Sequence, residues 1–211
     1  MSGEGKVRTS VSTIDGLDDS LRVRLAELFE EGWEIFDKFS TDVRDHEFHP
    51  FVPADYGYVL ATLLPHRAPG RRFLEWGSAT GVITIAADLL GFEAYGIELD
   101  AGLVDTARRL ATKYRSKATF SAASFLPAGY VWRPAVGDGR LGTIGDGPSG
   151  YLELGHALDE FDVVFGYPWG GEEGMMLDLM SRFGRPDAVL LLNKVVGGHR
   201  AYVGGRLTGE H

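Results

Sequence analysis

The sequence contains no cysteine, and this absence excludes several kinds of site. Without thiols the chain forms neither a disulfide nor a cysteine-ligated metal centre, and it has no cysteine nucleophile. Long apolar runs are also missing, because no stretch approaches the roughly twenty residues that a membrane-spanning helix needs. The first residues, MSGEGKVRTS, lack the apolar core of a signal peptide. These absences predict a cytoplasmic protein that does not bind a membrane.

Basic side chains are fewer than acidic ones, with 21 Lys and Arg against 30 Asp and Glu and a net charge of -9. This balance disfavours a broad basic face that grips nucleic acid. Two short basic clusters are more typical of solvated helix faces. They comprise Arg67, Arg71 and Arg72, and Arg108, Arg109, Lys113, Arg115 and Lys117. We therefore expect a small-molecule or protein substrate.

The length of 211 residues, with 44% hydrophobic residues, suits one domain of ordinary size. Residues 1–16 are polar and contain glycine, which predicts a disordered or loosely attached tail. Residues 17–70 contain two helical patterns, one starting near Asp18–Ser20 and one over about 54–64. We expect an N-terminal helical extension there, followed by a main domain over 71–211.

Beyond residue 71 short apolar strands alternate with helices. Alternation of this kind requires crossover connections, so it predicts an α/β fold with a mainly parallel sheet between two helical layers, a Rossmann-like αβα sandwich. The predicted strands are Arg72–Trp76, Phe92–Leu99, Ala118–Ser124, Asp162–Tyr167 and Ala188–Asn193, and the predicted helices include Val82–Leu90, one capped by Asp100, and Glu172–Phe183.

Two segments depart from this alternation. Residues 127–160 contain Asp138-Gly139 and Asp146-Gly147, turn pairs that predict a β-hairpin insert between the third and fourth strands. Eighteen residues follow Asn193, so we expect a shortened C-terminal end in which Arg200–Leu207 supplies one strand. The open edge of the fifth strand would then be covered by the C-terminal tail, by the inserted hairpins or by a second subunit of a homodimer.

The segment from 73 to 100 carries the most informative pattern. The first strand contains Glu75, and the turn Gly77-Ser78-Ala79-Thr80-Gly81 leads directly into a helix. Gly77 and Gly81 lack a Cβ, which lets the backbone pass close to a ligand. The helix start directs free N–H groups to the same place. Glu98, about twenty residues on, is placed to accept hydrogen bonds from two ribose hydroxyls.

This block resembles motif I and the following acidic motif of class I S-adenosylmethionine-dependent methyltransferases. The resemblance implies S-adenosylmethionine as cofactor and methyl transfer as activity, with Glu75 orienting the methionine amino group. Ala79 replaces the usual middle glycine, a departure whose methyl group is tolerable if φ is negative there. The implied cofactor-binding residues of this block are Glu75, Gly77, Ser78, Ala79, Gly81, Glu98 and Leu99.

Two later segments extend the resemblance. In AASFLP, residues 122–127, Ser124 takes the place of the acid that holds the adenine amino group, and Phe125 would flank the adenine ring. A plain strand end is the alternative. Gly166-Tyr167-Pro168-Trp169 resembles motif IV of amine-methylating members but lacks its first polar side chain. The resemblance assigns Gly166 to the cofactor site and Tyr167, Pro168 and Trp169 to acceptor positioning, with a core anchor as the alternative for Trp169.

Several neighbouring residues have both a functional and a structural interpretation. Glu172 and Glu173 favour the start of a helix, and they could also attract a cationic amine or serve as a base. Phe51, Tyr56 and Tyr58 could line a lid over the methionine end of the cofactor or simply pack. No metal site is predicted, because no second cluster accompanies His46 and His49.

Two other functions share part of this pattern. An NAD(P)-dependent oxidoreductase would need glycine at 77, 79 and 82, where the chain has Gly, Ala and Val. A non-catalytic cofactor-binding subunit is favoured by Gly166 in the place of a polar residue. Because the sequence offers no clear base, it leans towards an amine of a small molecule or protein as the acceptor.

Overall fold

The computed structural model describes residues 8–44, 51–131, 147–169, 171–194 and 198–210. The α-helices of these ranges are α1 (Asp19–Phe39), α2 (Tyr56–Leu63), α3 (Val82–Leu89), α4 (Ala101–Lys113), α5 (Gly150–Leu154) and α6 (Glu172–Phe183). The strands are β1 (Arg72–Trp76), β2 (Glu93–Glu98), β3 (Thr119–Ala122), β4 (Val163–Gly166), β5 (Val189–Asn193), β6 (His199–Val203) and β7 (Arg206–Glu210). Val11–Thr13, Leu64–His66 and Leu158–Glu160 are short 3-10 helices, and Ser40–Arg44 is a π-helical turn.

The seven strands form one sheet in the order β3-β2-β1-β4-β5-β6-β7. The first five strands in this order pair in parallel, whereas β6 runs antiparallel to both of its neighbours. The predicted mainly parallel Rossmann-like sheet is therefore confirmed. Chain order reverses at β1 and β4, and sheets of this type bind ligands at the carboxyl ends of the strands at such a reversal.

Consecutive side chains of the central strands enter two different cores. Phe73 and Val163 pack in the core that includes residues of α1 to α4, whereas Leu74 and Val164 pack in the core that includes residues of α5 and α6. This alternation places a helical layer on each face of the sheet, as a parallel sheet requires. None of the described helices is long and apolar enough to cross a membrane.

Aspartates begin three of the helices. The side chains of Asp18 and Asp100 each accept a hydrogen bond from the backbone N–H three residues on, at 2.8 and 2.9 Å, which confirms the predicted starts of α1 and α4. Asp55 accepts from the N–H of Tyr58 at 3.1 Å. Its carboxylate also accepts from the N–H and the hydroxyl of Thr9 at 2.9 and 2.8 Å. One side chain thus starts α2 and attaches the amino-terminal segment.

Residues 8–16 do not form the loose tail that their polarity predicts. Val11 and Ile14 are buried in the same core as α1. The guanidinium of Arg22 donates to the carbonyl oxygens of these two residues at 2.7 and 2.9 Å. Two apolar side chains and one arginine therefore attach this short polar segment, together with the bonds from Thr9 to Asp55.

The predicted β-meander over residues 127–160 is wrong for the part of it that is described. Gly150–Leu154 is a helix whose Tyr151 and Leu154 enter the core, and the only bridge there joins Ser124 to Ser149 among the described residues. The turn pair Asp138-Gly139 and the run from 141 to 144 lie outside the described residues.

The C-terminal segment forms two strands, so the prediction of one strand over Arg200–Leu207 is wrong. Gly204 and Gly205, with φ of 56° and 73°, make a turn in the middle of that segment. β6 pairs with β5 from Val189 to Asn193, its whole length. Of the three coverings considered for this edge (the C-terminal tail, the inserted hairpins or a second subunit), it is therefore the C-terminal segment that covers it.

Candidate functional site

A cavity of about 310 Å³ lies at the carboxyl ends of β1, β2 and β4, where the strand order reverses. This volume falls within the usual range of small-molecule sites. A second cavity of about 40 Å³ adjoins it, because Phe51, Trp76, Gly77 and Tyr167 line both. Together they place the end of β1 at the centre of the site.

The turn after β1 forms one wall. The N–H groups of Gly77 and Ser78 donate to the carbonyl oxygen of Ile97 at 2.9 and 3.0 Å, which attaches the turn to β2. Gly77 has a φ of 72°, and a Cβ built on it has no heavy atom within 4 Å. The backbone of Gly77 therefore faces open space in the cavity, as a close approach to a ligand requires.

Gly81 has a different role. A Cβ at Gly81 would lie 2.6 Å from Phe120 and 2.7 Å from Ala107, and Gly81 is not among the described residues that line either cavity. Its missing side chain lets α3 pack closely on α4 and β3.

Ala79 has a φ of 46°, so it does not have the negative φ that would accommodate its methyl group without strain. This left-handed conformation costs an L-residue about 1–2 kcal/mol. It brings the N–H of Ala79 to Oε2 of Glu98 at 2.9 Å. A hydrogen bond to a carboxylate offsets part of the conformational cost.

Glu98 and Leu99 line the larger cavity at the end of β2. Oε1 of Glu98 accepts from the N–H of Asp100 at 3.0 Å, while Oε2 accepts from Ala79. Burial raises the pKa of Glu98, and the N–H groups of Asp100, Ala79 and Leu99 act in the opposite direction. A carboxylate has about four lone-pair positions, so beside these three N–H groups it can still accept from a ligand hydroxyl.

Glu75 lines the smaller cavity and is 4% exposed. Its Oε2 accepts from the N–H of Thr84 at 3.0 Å and also from the Thr84 hydroxyl. Since Thr84 lies in the first turn of α3, Glu75 satisfies an N–H that the helix leaves free. Burial raises the pKa of Glu75 to about 8, although the two bonds from Thr84 act to lower it.

The other wall comes from the end of β4 and the start of α6. Tyr167 lines both cavities, and Trp169 and Glu172 line the larger one. The N–H of Trp169 donates to Oε2 of Glu172 at 2.9 Å, and the N–H of Glu172 donates back to the carbonyl oxygen of Trp169 at 2.9 Å. Burial raises the pKa of both Tyr167 and Glu172.

Pro168 and Gly166 are not among the described residues that line either cavity. Gly166 is buried beneath α6, where a Cβ would lie 3.0 Å from the sulfur of Met176. Glu173 faces away from the site: its carboxylate accepts two bonds from Arg200 at 2.9 and 3.0 Å and one from the Tyr202 hydroxyl at 2.6 Å. The two adjacent acids therefore differ in surroundings.

Ser124 and Phe125 do not line either cavity in the described chain. The Ser124 hydroxyl accepts from the N–H of Leu126 at 3.1 Å, and its backbone pairs with Pro148 and Gly150. Phe125 stacks on Trp76, with ring centroids 5.5 Å apart. It therefore packs behind a cavity residue.

Of the three aromatic residues considered for a lid, Phe51 and Tyr56 line a cavity and Tyr58 is not among the described lining residues. Phe51 lines both cavities and makes edge contacts with Phe36 and Phe39. Tyr56 lines the smaller cavity, whereas the Tyr58 hydroxyl lies 2.8 Å from Nδ1 of His199. The two histidines of the loop, at 46 and 49, lie outside the described residues.

The cavity walls are acidic and apolar. Glu98, Asp100 and Glu172 line the larger cavity, and no Lys, Arg or His is among its lining residues in the described ranges. Two buried side-chain oxygens, Ser78 Oγ and Glu172 Oε1, have no hydrogen-bond partner among the described residues, and both belong to residues that line these cavities. The site is therefore suited to a ligand that has hydrogen-bond donors and positive charge.

Several cavity residues are not among the site residues that the sequence predicts. Trp76, Ile97, Leu103 and Met176 supply apolar walls, and Asp100 was identified only as a helix cap. A signal for Trp76 exists, because it directly precedes the glycine turn. The others belong to regular strand and helix patterns that give no sign of facing a cavity.

No family model matches the chain, and no curated protein matches it. Among solved structures, it is similar to a precorrin-6y C5,15-methyltransferase from Geobacter metallireducens, at 18% identity over 73% of this chain and 70% of that one, with a TM-score of 0.48. A methyltransferase from Thiobacillus denitrificans with S-adenosylhomocysteine matches at 22% identity over 76% and 54%, with a TM-score of 0.45. The chain thus spans about half the length of that protein.

An RNA methyltransferase from Salinibacter ruber, also with S-adenosylhomocysteine, matches at 20% identity over 67% of this chain and 76% of that one, with a TM-score of 0.46. These three structures have different acceptors or an unstated one.

Proposed function

We propose that the chain is an S-adenosylmethionine-dependent methyltransferase that binds its cofactor in the two adjoining cavities. The position of the Glu98 carboxylate is the observation that carries this proposal. This carboxylate is fixed by the N–H groups of Ala79 and Asp100 at the end of β2, and it lines the same cavity as the open backbone of Gly77. A ribose hydroxyl is a donor that matches its remaining lone-pair capacity.

The other lining residues fit the same cofactor. Ile97, Leu99 and Leu103 give an apolar surface for the adenine ring near Glu98. Glu75 and Ser78 line the smaller cavity, where the ammonium group of the methionine part would find a carboxyl group and a hydroxyl. The bound cofactor supplies a methyl group that its positively charged sulfonium already activates. The acidic walls attract such a cation.

The acceptor would lie against Tyr167 and Trp169, which position it and exclude water beside the cofactor. An amine of a small molecule or of a protein is the acceptor that we propose. We further propose that residues 71–211 form the methyltransferase domain, and that residues 17–70 are an extension whose Phe51 closes the site.

Calorimetric titration with S-adenosylhomocysteine and with NADH tests this function. We expect binding of S-adenosylhomocysteine and none of NADH. Glu98→Gln should weaken that binding by about 1–3 kcal/mol, because a buried carboxylate loses charged hydrogen bonds to the ligand. Glu93→Gln removes the same charge from the exposed end of β2 and serves as the matched control, with unchanged binding.

Each alternative has its own outcome. Binding of NADH without S-adenosylhomocysteine would instead indicate an oxidoreductase. Binding of S-adenosylhomocysteine without transfer of a labelled methyl group to any metabolite or protein of a cell extract would indicate the non-catalytic subunit that Gly166 suggests. Equal binding by Glu98→Gln and the unsubstituted chain would contradict the ribose assignment.

A further inference from the structure

Glu172 is a buried carboxylate with one unused oxygen. It is 1% exposed, Oε2 accepts from the N–H of Trp169, and Oε1 has no hydrogen-bond partner among the described residues. It also lines the larger cavity. A buried carboxylate oxygen without a donor is unfavourable, so a ligand that brings a donor would be bound favourably.

Glu172 lies beyond a different strand from the acids assigned to the cofactor. Glu98 and Asp100 follow β2, whereas Glu172 follows β4, and β1 lies between these strands. Tyr167 and Trp169 line the cavity beside Glu172. Aromatic faces attract cations, so this wall combines two cation-binding features in one place.

Resting on the proposed function, we propose that the acceptor is a positively charged organic amine and that Glu172 is the catalytic carboxylate that binds its ammonium group and takes its proton. The N–H bond breaks, and the proton moves to Oε1. The freed lone pair of nitrogen forms a bond to the methyl carbon, while the carbon–sulfur bond breaks and leaves its electron pair on sulfur. The products are a methylated ammonium ion, S-adenosylhomocysteine and a proton that Glu172 releases to solvent.

The charge of the cavity selects against other acceptor classes. Glu98 and Glu172 line it, and no Lys, Arg or His is among its lining residues in the described ranges. A phosphate or carboxylate next to the reacting atom would be repelled by the carboxylates that line the cavity. The acceptor therefore carries no anionic group close to its amine.

The surroundings of Glu172 suit a proton acceptor. Burial raises its pKa, which brings it closer to the working range of a general base. Among the described residues, the titratable groups that share its cavity are Tyr167 on the β4 side and Glu98 and Asp100 across from it. Glu173, the next residue, pairs instead with Arg200 and the Tyr202 hydroxyl.

Sinefungin provides a probe that requires no knowledge of the acceptor. This cofactor analogue carries a primary amine in the place of the transferred methyl group, whereas S-adenosylhomocysteine carries nothing there. Calorimetry should give sinefungin an affinity on the order of tenfold above that of S-adenosylhomocysteine, since an ammonium–carboxylate hydrogen bond forms. Glu172→Gln should remove this preference, because the ammonium–carboxylate hydrogen bond to sinefungin is lost. The affinity for S-adenosylhomocysteine should stay within about twofold, because this compound has no amine at that position.

Glu173→Gln is the matched control, because it removes the same charge one residue away and should keep the preference. The unsubstituted chain gives a second measurement that does not depend on any variant folding. Its preference for sinefungin should decrease at pH 5 relative to pH 8, because a protonated Glu172 no longer attracts the ammonium group.

The outcomes separate the two proposals. An equal preference in Glu172→Gln and the unsubstituted chain, or a preference that does not change with pH, overturns the role of Glu172 while the cofactor assignment stands. The role of Glu172 is also overturned if Glu173→Gln loses the preference for sinefungin as fully as Glu172→Gln does. Failure of the folded chain to bind either compound overturns the proposed function and this inference with it.

Discussion

Among single residues, Ala79 combines an unfavourable backbone with a useful hydrogen bond. It lies between Gly77 and Gly81, which have φ of 72° and 74°, and its own φ of 46° is also left-handed. Glycine adopts this conformation without a steric cost, whereas alanine does not. The N–H of Ala79 nevertheless reaches the carboxylate of Glu98, so the strained backbone supports the group assigned to the ribose.

Ala79→Gly should therefore stabilise the protein by about 0.5–1 kcal/mol, because the steric relief exceeds the added flexibility of the unfolded chain. Urea unfolding, followed by circular dichroism, measures this change. Ala26→Gly, at an exposed position inside α1, is the control and should cost about 1 kcal/mol. A loss of stability in Ala79→Gly would show that its methyl group makes contacts that outweigh the strain.

Site residues that follow one another along the chain were predictable, and those that depend on distant segments were not. Glu75, Gly77 and Glu98 lie at strand ends and in a turn that local patterns locate, and all three line a cavity. The surroundings of Ser124 depend on Ser149, which is far away in sequence. The different directions of Glu172 and Glu173 depend on how α6 packs, which their shared acidity does not reveal.

On the scale of elements, Glu75 connects β1 with the first turn of α3. The bonds to Glu75 satisfy the Thr84 N–H, which the helix leaves free. They also require a buried carboxyl group, whose pKa rises to about 8. In the unfolded chain this group has the ordinary pKa of about 4.3. Between these two values the folded state holds a proton that the unfolded state does not.

Glu75 should therefore make the protein less stable as the pH rises from about 4.3 to about 8, by at most about 1.4 kcal/mol per pH unit. Glu75→Gln keeps the size and an oxygen for Thr84 but does not titrate. The stability of this variant relative to the unsubstituted chain should rise through that range and level off above it. Urea unfolding from pH 5 to 9 measures the difference, with Glu93→Gln as the exposed control. A constant difference would contradict the raised pKa.

Elements with strong periodicity were predictable, and short ones were not. β1 to β5 and their helices follow apolar patterns that the structure confirms within a few residues. α5 has five residues, too few to display helical spacing. The Gly204-Gly205 pair could have indicated the turn between β6 and β7, but the flanking strands are largely polar and their burial is partial.

For the whole molecule, the pairing of β6 with β5 determines where the sheet ends. The side chains of Val189–Leu192 are buried, and β6 satisfies the backbone groups along their edge. An apolar strand with unpaired backbone groups pairs readily with other chains. The C-terminal hairpin is thus a structural requirement of this sheet.

Removal of residues 195–211 should therefore produce soluble oligomers or aggregates, because β5 becomes an open apolar edge. Size-exclusion chromatography with light scattering measures the state of the chain. Removal of residues 206–211 alone is the control, since it deletes β7 and leaves β6 paired with β5. A monomeric and folded product of the longer truncation would refute this expectation.

The carboxylate shared by Thr9 and α2 has a practical consequence. Asp55 is joined to Phe51 by a short segment, and that segment borders the smaller cavity through Pro53 and Ala54. Any truncation or affinity tag that displaces Thr9 leaves Asp55 with fewer donors and loosens the wall of the smaller cavity. Engineering of the amino terminus should therefore alter the residence time of ligands, although residues 8–16 line neither cavity.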